Sequence, residues 1–128
     1  GVPPICSDLY SFMGDLNVHI VFNEVQRQFS MPYKTDTLMD QYTCYTYPYE
    51  MRYHIDDIKK QIAERRIDGI IHYVQNFCHR HIYDSLVRRN IGIPVLTLDC
   101  DRPGRLSGSM RTRIEAFIEM LKNTTNSQ

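Results

Sequence analysis

At 128 residues the chain is long enough for one hydrophobic core and too short for two ordinary domains. Its 42% apolar and 23% charged residues match ordinary soluble globular proteins, which excludes collagen, fibrous and disordered classes. Fifteen basic side chains balance fifteen acidic ones, and no apolar run approaches the roughly eighteen residues of a membrane span, so neither nucleic acid nor a membrane is an expected partner and a cytoplasmic location is expected.

In chain order, the opening GVPPI lacks an initiator methionine and reads as the tail of a strand entering a loop, so a segment of a longer polypeptide is expected, with its first strand truncated. Ser7 is placed to cap a helix in which Leu9, Phe12, Met13 and Leu16 recur at i, i+3, i+4 and i+7. Residues 18–25 alternate Val18, Ile20 and Phe22, the pattern of a strand, and residues 26–35 read as a loop. Leu38, Met39 and Tyr42 allow a short helix within 36–52, before the tyrosines and Pro48 turn the pattern irregular. Over 53–66, Ile55, Ile58 and Ile62 share one face of a helix and Lys59, Lys60, Glu64 and Arg65 the other.

Asp68-Gly69 marks a turn into a short apolar strand, residues 70–74, and 75–78 connect it to a helix over 79–90 with Ile82, Leu86 and Val87 inward, closed by Gly92. Residues 94–98 form another strand, 101–105 a loop, and Ser107 or Ser109 caps a last helix carrying Met110, Ile114, Phe117, Ile118 and Leu121 on one face. Strands alternating with helices predict a doubly wound α/β domain over residues 1–122, a parallel sheet with helices on both faces, followed by a polar tail at 123–128. Ligands of such sheets sit outside the carboxyl ends of the strands.

Cys6, Cys78 and Cys100 all follow strand segments and so fall on that edge, while Cys44 does not. No CxxC pair occurs, and without an export signal reduced thiols are expected. Cys78 also precedes a helix, whose amino-terminal charge favours the thiolate that acts as nucleophile or metal ligand; the plainer reading is a small buried hydrophobe. His79 flanks it, but neighbouring helical residues point about 100° apart, too far to share one tetrahedral ion. His19, His54, His72 and His81 are further bases without a defined geometry.

Arg102, Arg105, Arg111 and Arg113 surround a glycine turn at a helix start and suit a phosphate or carboxylate, or else pair with Asp99, Asp101 and Glu115. The tyrosine-rich stretch YTCYTYPYEMRY reads as packing or interface rather than a ligand slot.

GIIHYVQNFCHRHIYD, then IPVLTLDCDRPG and RTRIEAFIEML, together with GVPPI, NEVQRQFSMP and YTYPYE, resemble the carboxy-terminal domain of the 2-hydroxyacyl-CoA dehydratase and benzoyl-CoA reductase family, in its 2-hydroxyglutaryl-CoA dehydratase D-component group. The resemblance spans nearly the whole chain and implies a flavodoxin-like domain forming about the last third of a subunit. It also implies an oxygen-sensitive [4Fe–4S] cluster held by three cysteines, two of them in earlier domains outside this chain, with Cys78 at the third position; Cys6, Cys44 and Cys100 match no ligand position.

The reaction so implied belongs to anaerobic metabolism. An ATP-dependent activator protein injects one low-potential electron, a second dehydratase subunit takes part, and the thioester carbonyl of an acyl-CoA becomes a ketyl radical that expels hydroxide; benzoyl-CoA reductases reduce an aromatic thioester instead. Arg102, Arg105 and Arg111 would then meet the CoA phosphates or the partner subunit, and the segment alone would be inactive. Two other readings stand beside it. One is a non-catalytic α/β binding or assembly module with a structural Cys78. The other is an enzyme using the Cys78 thiol alone, which fast, selective alkylation of Cys78 would reveal.

Overall fold

The computed structural model describes residues 4–25, 36–44 and 51–125. Their elements are α1 (Leu9–Asp15), α2 (Leu38–Cys44), α3 (Met51–Arg65), β1 (Ile70–Val74), a 3-10 helix (His79–Tyr83), α4 (Asp84–Asn90), β2 (Val95–Asp99) and α5 (Gly108–Thr125). They fall into two compact units, one within residues 21–67 and the other formed by residues 2–20 with 68–128.

The second unit is built on the expected pair of strands. β1 and β2 run parallel in the register Ile70↔Val95 to Val74↔Asp99, joined through the 3-10 helix and α4 as a crossover, so the chain is of mixed α/β type. Because side chains alternate along a strand, Ile71, Tyr73, Leu96 and Leu98 share one face, which packs onto a core of Leu9, Phe12 and Met13 from α1 and Ile114, Phe117 and Ile118 from α5. His72 and Thr97 point to the other face, where α4 lies. Helices therefore flank both faces of this two-strand sheet.

The apolar stripe read for the last helix is the buried one, and Ser107 is its cap: its Oγ accepts the Met110 N–H at 3.3 Å. The helix continues through Thr125, into residues read as tail. α1 ends where its pattern ended. Asn17 takes a left-handed φ of 57°, its N–H reaches the Gly14 carbonyl at 2.9 Å, and the Val18 N–H reaches that of Met13 at 3.0 Å, the double bond of a Schellman stop.

Three expectations change. Residues 18–23 form no strand: Val18 packs against the core directly after the stop, while Ile20 and Val21 are exposed, and the sheet among the described residues consists of β1 and β2 alone. Alternation without a neighbouring strand does not make a sheet. The helix read over 79–90 is a 3-10 turn followed by seven residues of α4, and it is rolled so that Val87 is buried whereas Ile82 and Leu86 are 74% and 40% exposed. Polar residues of α4, described below, set that roll. Finally, Cys6 and Cys100 are paired as a disulfide across 94 residues, against the expectation of reduced thiols. Tertiary adjacency of that kind leaves no mark on cysteine spacing. GVP at the start, the 26–35 loop and the tyrosines at 45, 47 and 49 lie outside the described residues.

Gly69, in the turn before β1, sits directly under α5. A Cβ there would come within 2.7 Å of Leu121 Cδ1 and 2.9 Å of Phe117 Cζ. Gly69→Ala is therefore expected to cost about 1–3 kcal/mol through overpacking. Urea denaturation checks it, and an unchanged midpoint would show that the two side chains move aside freely.

In the first unit, Thr37 caps α2 by accepting the Asp40 N–H at 3.1 Å and donating to the Asp40 carboxylate at 2.6 Å. α3 buries Ile55 as read, and also Asp57 and Gln61. Gln61 is held on its own helix, accepting from Arg65 at 2.8 Å and donating to Glu64 at 3.1 Å, while Arg65 also reaches the Val21 carbonyl and lies over the Phe22 ring.

Candidate functional site

Cys78 lies in the turn that leaves the carboxyl end of β1, where the strand pattern put it. Its N–H donates to the Gln75 carbonyl and its own carbonyl accepts the His81 N–H, both at 2.9 Å. The turn is tied to the end of β2. Asp101 Oδ1 accepts the Asn76 N–H at 2.8 Å, and its other carboxylate oxygen accepts from the Asn76 side chain. Cys78 is half-buried and is a free cysteine. Five residues of 3-10 helix follow it instead of the long α-helix expected, so few aligned peptide dipoles stand behind the thiol. Phe77 and Ile82, on either side of it in sequence, are 77% and 74% exposed.

Behind the turn, a polar network joins α4 to the sheet. Asp84 Oδ1 accepts from His72 Nδ1 at 2.6 Å and from Thr97 Oγ1 at 2.7 Å, and Oδ2 accepts from Arg88 Nε at 2.8 Å. Arg88 also donates to the Thr97 hydroxyl and, at 2.9 Å, to the Val95 carbonyl. Burial pushes the Asp84 pKa up, but the hydrogen bonds from Thr97, His72 and Arg88 outweigh it and hold the carboxyl at about 2. The Pro94 carbonyl faces β1, so those of Val95 and Thr97 face the edge of β2 that has no strand partner among the described residues; Arg88 takes the first and Arg113, at 2.7 Å, the second. Both arginines thereby cover an edge that would otherwise be open to pairing.

The arginines singled out by sequence divide. Arg111 pairs with Asp8 at 2.5 Å and stacks on Phe12, 4.5 Å from its centroid. Asp8 also accepts the Leu106 N–H at 2.8 Å, the main cause of its lowered pKa, and so fastens α1 to the start of α5. Arg102 and Arg105 are exposed and form no ion pair among the described residues. Of the histidines, His72 belongs to the network, His54 bonds Glu24 in the other unit, and His19 and His79 are exposed. Asp101, read from sequence as a partner for the loop arginines, bonds Asn76 instead, and Asp84, Arg88, Thr97 and Asn76 were not singled out from sequence. Only the i, i+4 spacing of Asp84 and Arg88 could have signalled any of them.

An iron–sulfur cluster needs several thiolate ligands. Cys78 has the chemistry and partial exposure of one such ligand, whereas Cys6 and Cys100 are 5% exposed and bonded to each other. Among the described residues, no group of three or more His, Cys, Asp or Glu side chains is arranged to hold a metal ion. These residues fit one corner of a cluster and not a complete site. Among the described residues, no helix is long and apolar enough to cross a membrane.

Compared with known proteins, residues 1–121 match the family model for 2-hydroxyglutaryl-CoA dehydratase, D-component. A curated relative, "Putative dehydratase subunit YjiM" of Escherichia coli strain K12, is 30% identical over 69 residues; the match covers 50% of this chain and 18% of the length of that protein. No solved structure matches.

Proposed function

Because the chain belongs to the 2-hydroxyglutaryl-CoA dehydratase D-component family, we propose that it is part of a dehydratase subunit acting on a 2-hydroxyacyl-CoA or a related CoA thioester, and that Cys78 is one ligand of a [4Fe–4S] cluster whose other ligands lie outside this chain. The observation that carries the assignment is the free, half-buried Cys78 on a pinned turn at the carboxyl end of a parallel strand. When bound, such a cluster supplies single electrons to the thioester. The chain's own part is to hold the Cys78 sulfur in one place. The Asp101–Asn76 clamp fixes the turn from the β2 side, and the Asp84 network fixes the helix that leaves it.

Family membership supports the remaining elements of the reading. The β1–α4–β2 crossover is taken as part of a larger, flavodoxin-like doubly wound sheet, with a second subunit and an ATP-dependent activator as partners. The exposed Arg102 and Arg105 are the better placed of the loop arginines to meet CoA phosphates, since Arg111 is already engaged by Asp8. A second reading, a subunit-assembly module in which Cys78 is structural, draws on the exposure of Phe77 and Ile82 beside it.

Anaerobic reconstitution with iron and sulfide separates the two. The 128-residue chain alone is expected to show no stoichiometric 4Fe–4S absorbance or EPR signal. The complete subunit is expected to bind a cluster that Cys78→Ser removes and Cys44→Ser retains. A stoichiometric, Cys78-dependent cluster on the short chain would overturn the sharing of ligands, and a Cys78→Ser subunit that keeps its cluster would return Cys78 to a structural role.

A further inference from the structure

We propose that Cys6 and Cys100 are a reversible dithiol–disulfide pair whose state sets how tightly the Cys78 turn is held. The pairing itself is geometric: two buried cysteines, 94 residues apart in sequence, meet where the segment before α1 crosses the end of β2. Their Cα atoms are 7.4 Å apart. The reduced state is also provided for. Cys100 Sγ lies 3.9 Å from the Arg102 carbonyl, which accepts its S–H when the bond is open.

Exchange needs access, and although Cys6 and Ile5 pack into the core, the backbone of their segment is paired through a single bridge. Residues 5–7 meet Gly104 through one isolated parallel bridge, with Ser7 N–H to the Gly104 carbonyl at 2.8 Å, Gly104 N–H to that of Ile5 at 3.3 Å, and the Ser7 hydroxyl at 3.3 Å. Opening these bonds and lifting Ile5 and Cys6 out of the core would bare both sulfurs. One thiolate then attacks a low-molecular-weight disulfide RSSR and releases RSH. The other displaces the second RSH from the mixed disulfide, so the protein loses two electrons and two protons and RSSR leaves as two thiols. A dithiol reductant runs the sequence backward.

The coupling to Cys78 is a short, continuous path. Cys100 N–H donates to the Val74 carbonyl at 3.0 Å, its carbonyl accepts from Tyr73 Oη at 3.1 Å, and the next residue, Asp101, holds both the backbone and the side chain of Asn76. Anchoring Cys100 to Cys6 restrains Asp101, hence the Gln75–Cys78 turn. None of this depends on the iron–sulfur reading.

The test uses the 128-residue protein without iron, incubated with glutathione disulfide or with dithiothreitol. Peptide mapping after glutathione disulfide is expected to join the Cys6 and Cys100 peptides. Iodoacetamide is expected to alkylate Cys78 about fivefold more slowly in the disulfide form than in the dithiol form, the effect of about one net hydrogen bond; only chains without a glutathione adduct on Cys78 are counted. Cys6→Ser is expected to react at the dithiol rate under both conditions. Asp101→Ala is expected to keep the joined peptide and lose the rate difference. Failure to form the joined peptide would overturn the pair, equal Cys78 rates would overturn the coupling, and a difference that survives Asp101→Ala would overturn the path.

Discussion

Replacing Ile114 by alanine is expected to destabilise the protein by about 3–4 kcal/mol. Ile114 is 0% exposed, on the α5 face that covers the sheet, and its neighbours in the core come from α1, β2 and α5 together. Those elements are fixed independently: α1 by the Asp8 bonds to Leu106 and Arg111, and β2 by its pairing with β1. The walls of the hole therefore cannot all close on it, and the loss should lie in the upper part of the range for aliphatic truncations. Against a typical total of about 5–15 kcal/mol, that is a large share of the stability. A fall in the urea midpoint at constant slope measures it. Met120→Ala, on the same helix at 44% exposure, should stay within about 0.5 kcal/mol. Comparable losses at the two positions would mean that α5 does not pack as described.

Where one periodicity dominated a segment, the fold was legible from the residues. β1 coincides with the run read at 70–74, β2 is offset by one residue from 94–98, and the α5 stripe is the buried face. Both strands are short apolar runs bounded by turn residues, and α5 is long enough for its period to be unambiguous. The failures are places where tertiary partners decide. Residues 18–23 have strand composition, but composition does not supply a neighbouring strand. α4 has apolar residues on two sides, and hydrogen bonds from His72 and Thr97 to Asp84 select the side that faces inward. The position of Cys78 followed from the strand before it. Its clamp did not, because Asp101 lies 25 residues beyond Asn76 in the chain. The Cys6–Cys100 pair is the extreme case, invisible until two distant loops share one edge of the sheet.

Asp84→Asn is expected to cost about 2–3 kcal/mol near neutral pH, because an amide cannot accept all three of the bonds the carboxylate takes from His72, Thr97 and Arg88. The acid limb identifies the charge in that loss. In the folded protein the Asp84 pKa stands at about 2 against an ordinary 3.8; burial raises it, and the bonds from Thr97, His72 and Arg88 lower it by more. A folded-state pKa below the unfolded one gives stability that is fully present above about pH 4 and is lost as pH falls from about 4 toward 2, on the order of 1–2 kcal/mol after allowance for partial solvent exposure. The Asp84→Asn protein should lack this part of the slope, so its urea midpoint and that of the parent should converge in acid. Asp8 is also lowered, chiefly by the Leu106 N–H, and titrates in the same direction, so the variant's acid limb should be shallower without being flat. Parallel acid limbs in parent and variant would place the stabilising charge elsewhere and leave Asp84 as a packing residue. Convergence would tie the roll of α4, and the exposure of Ile82 beside Cys78, to a carboxylate that must stay ionised.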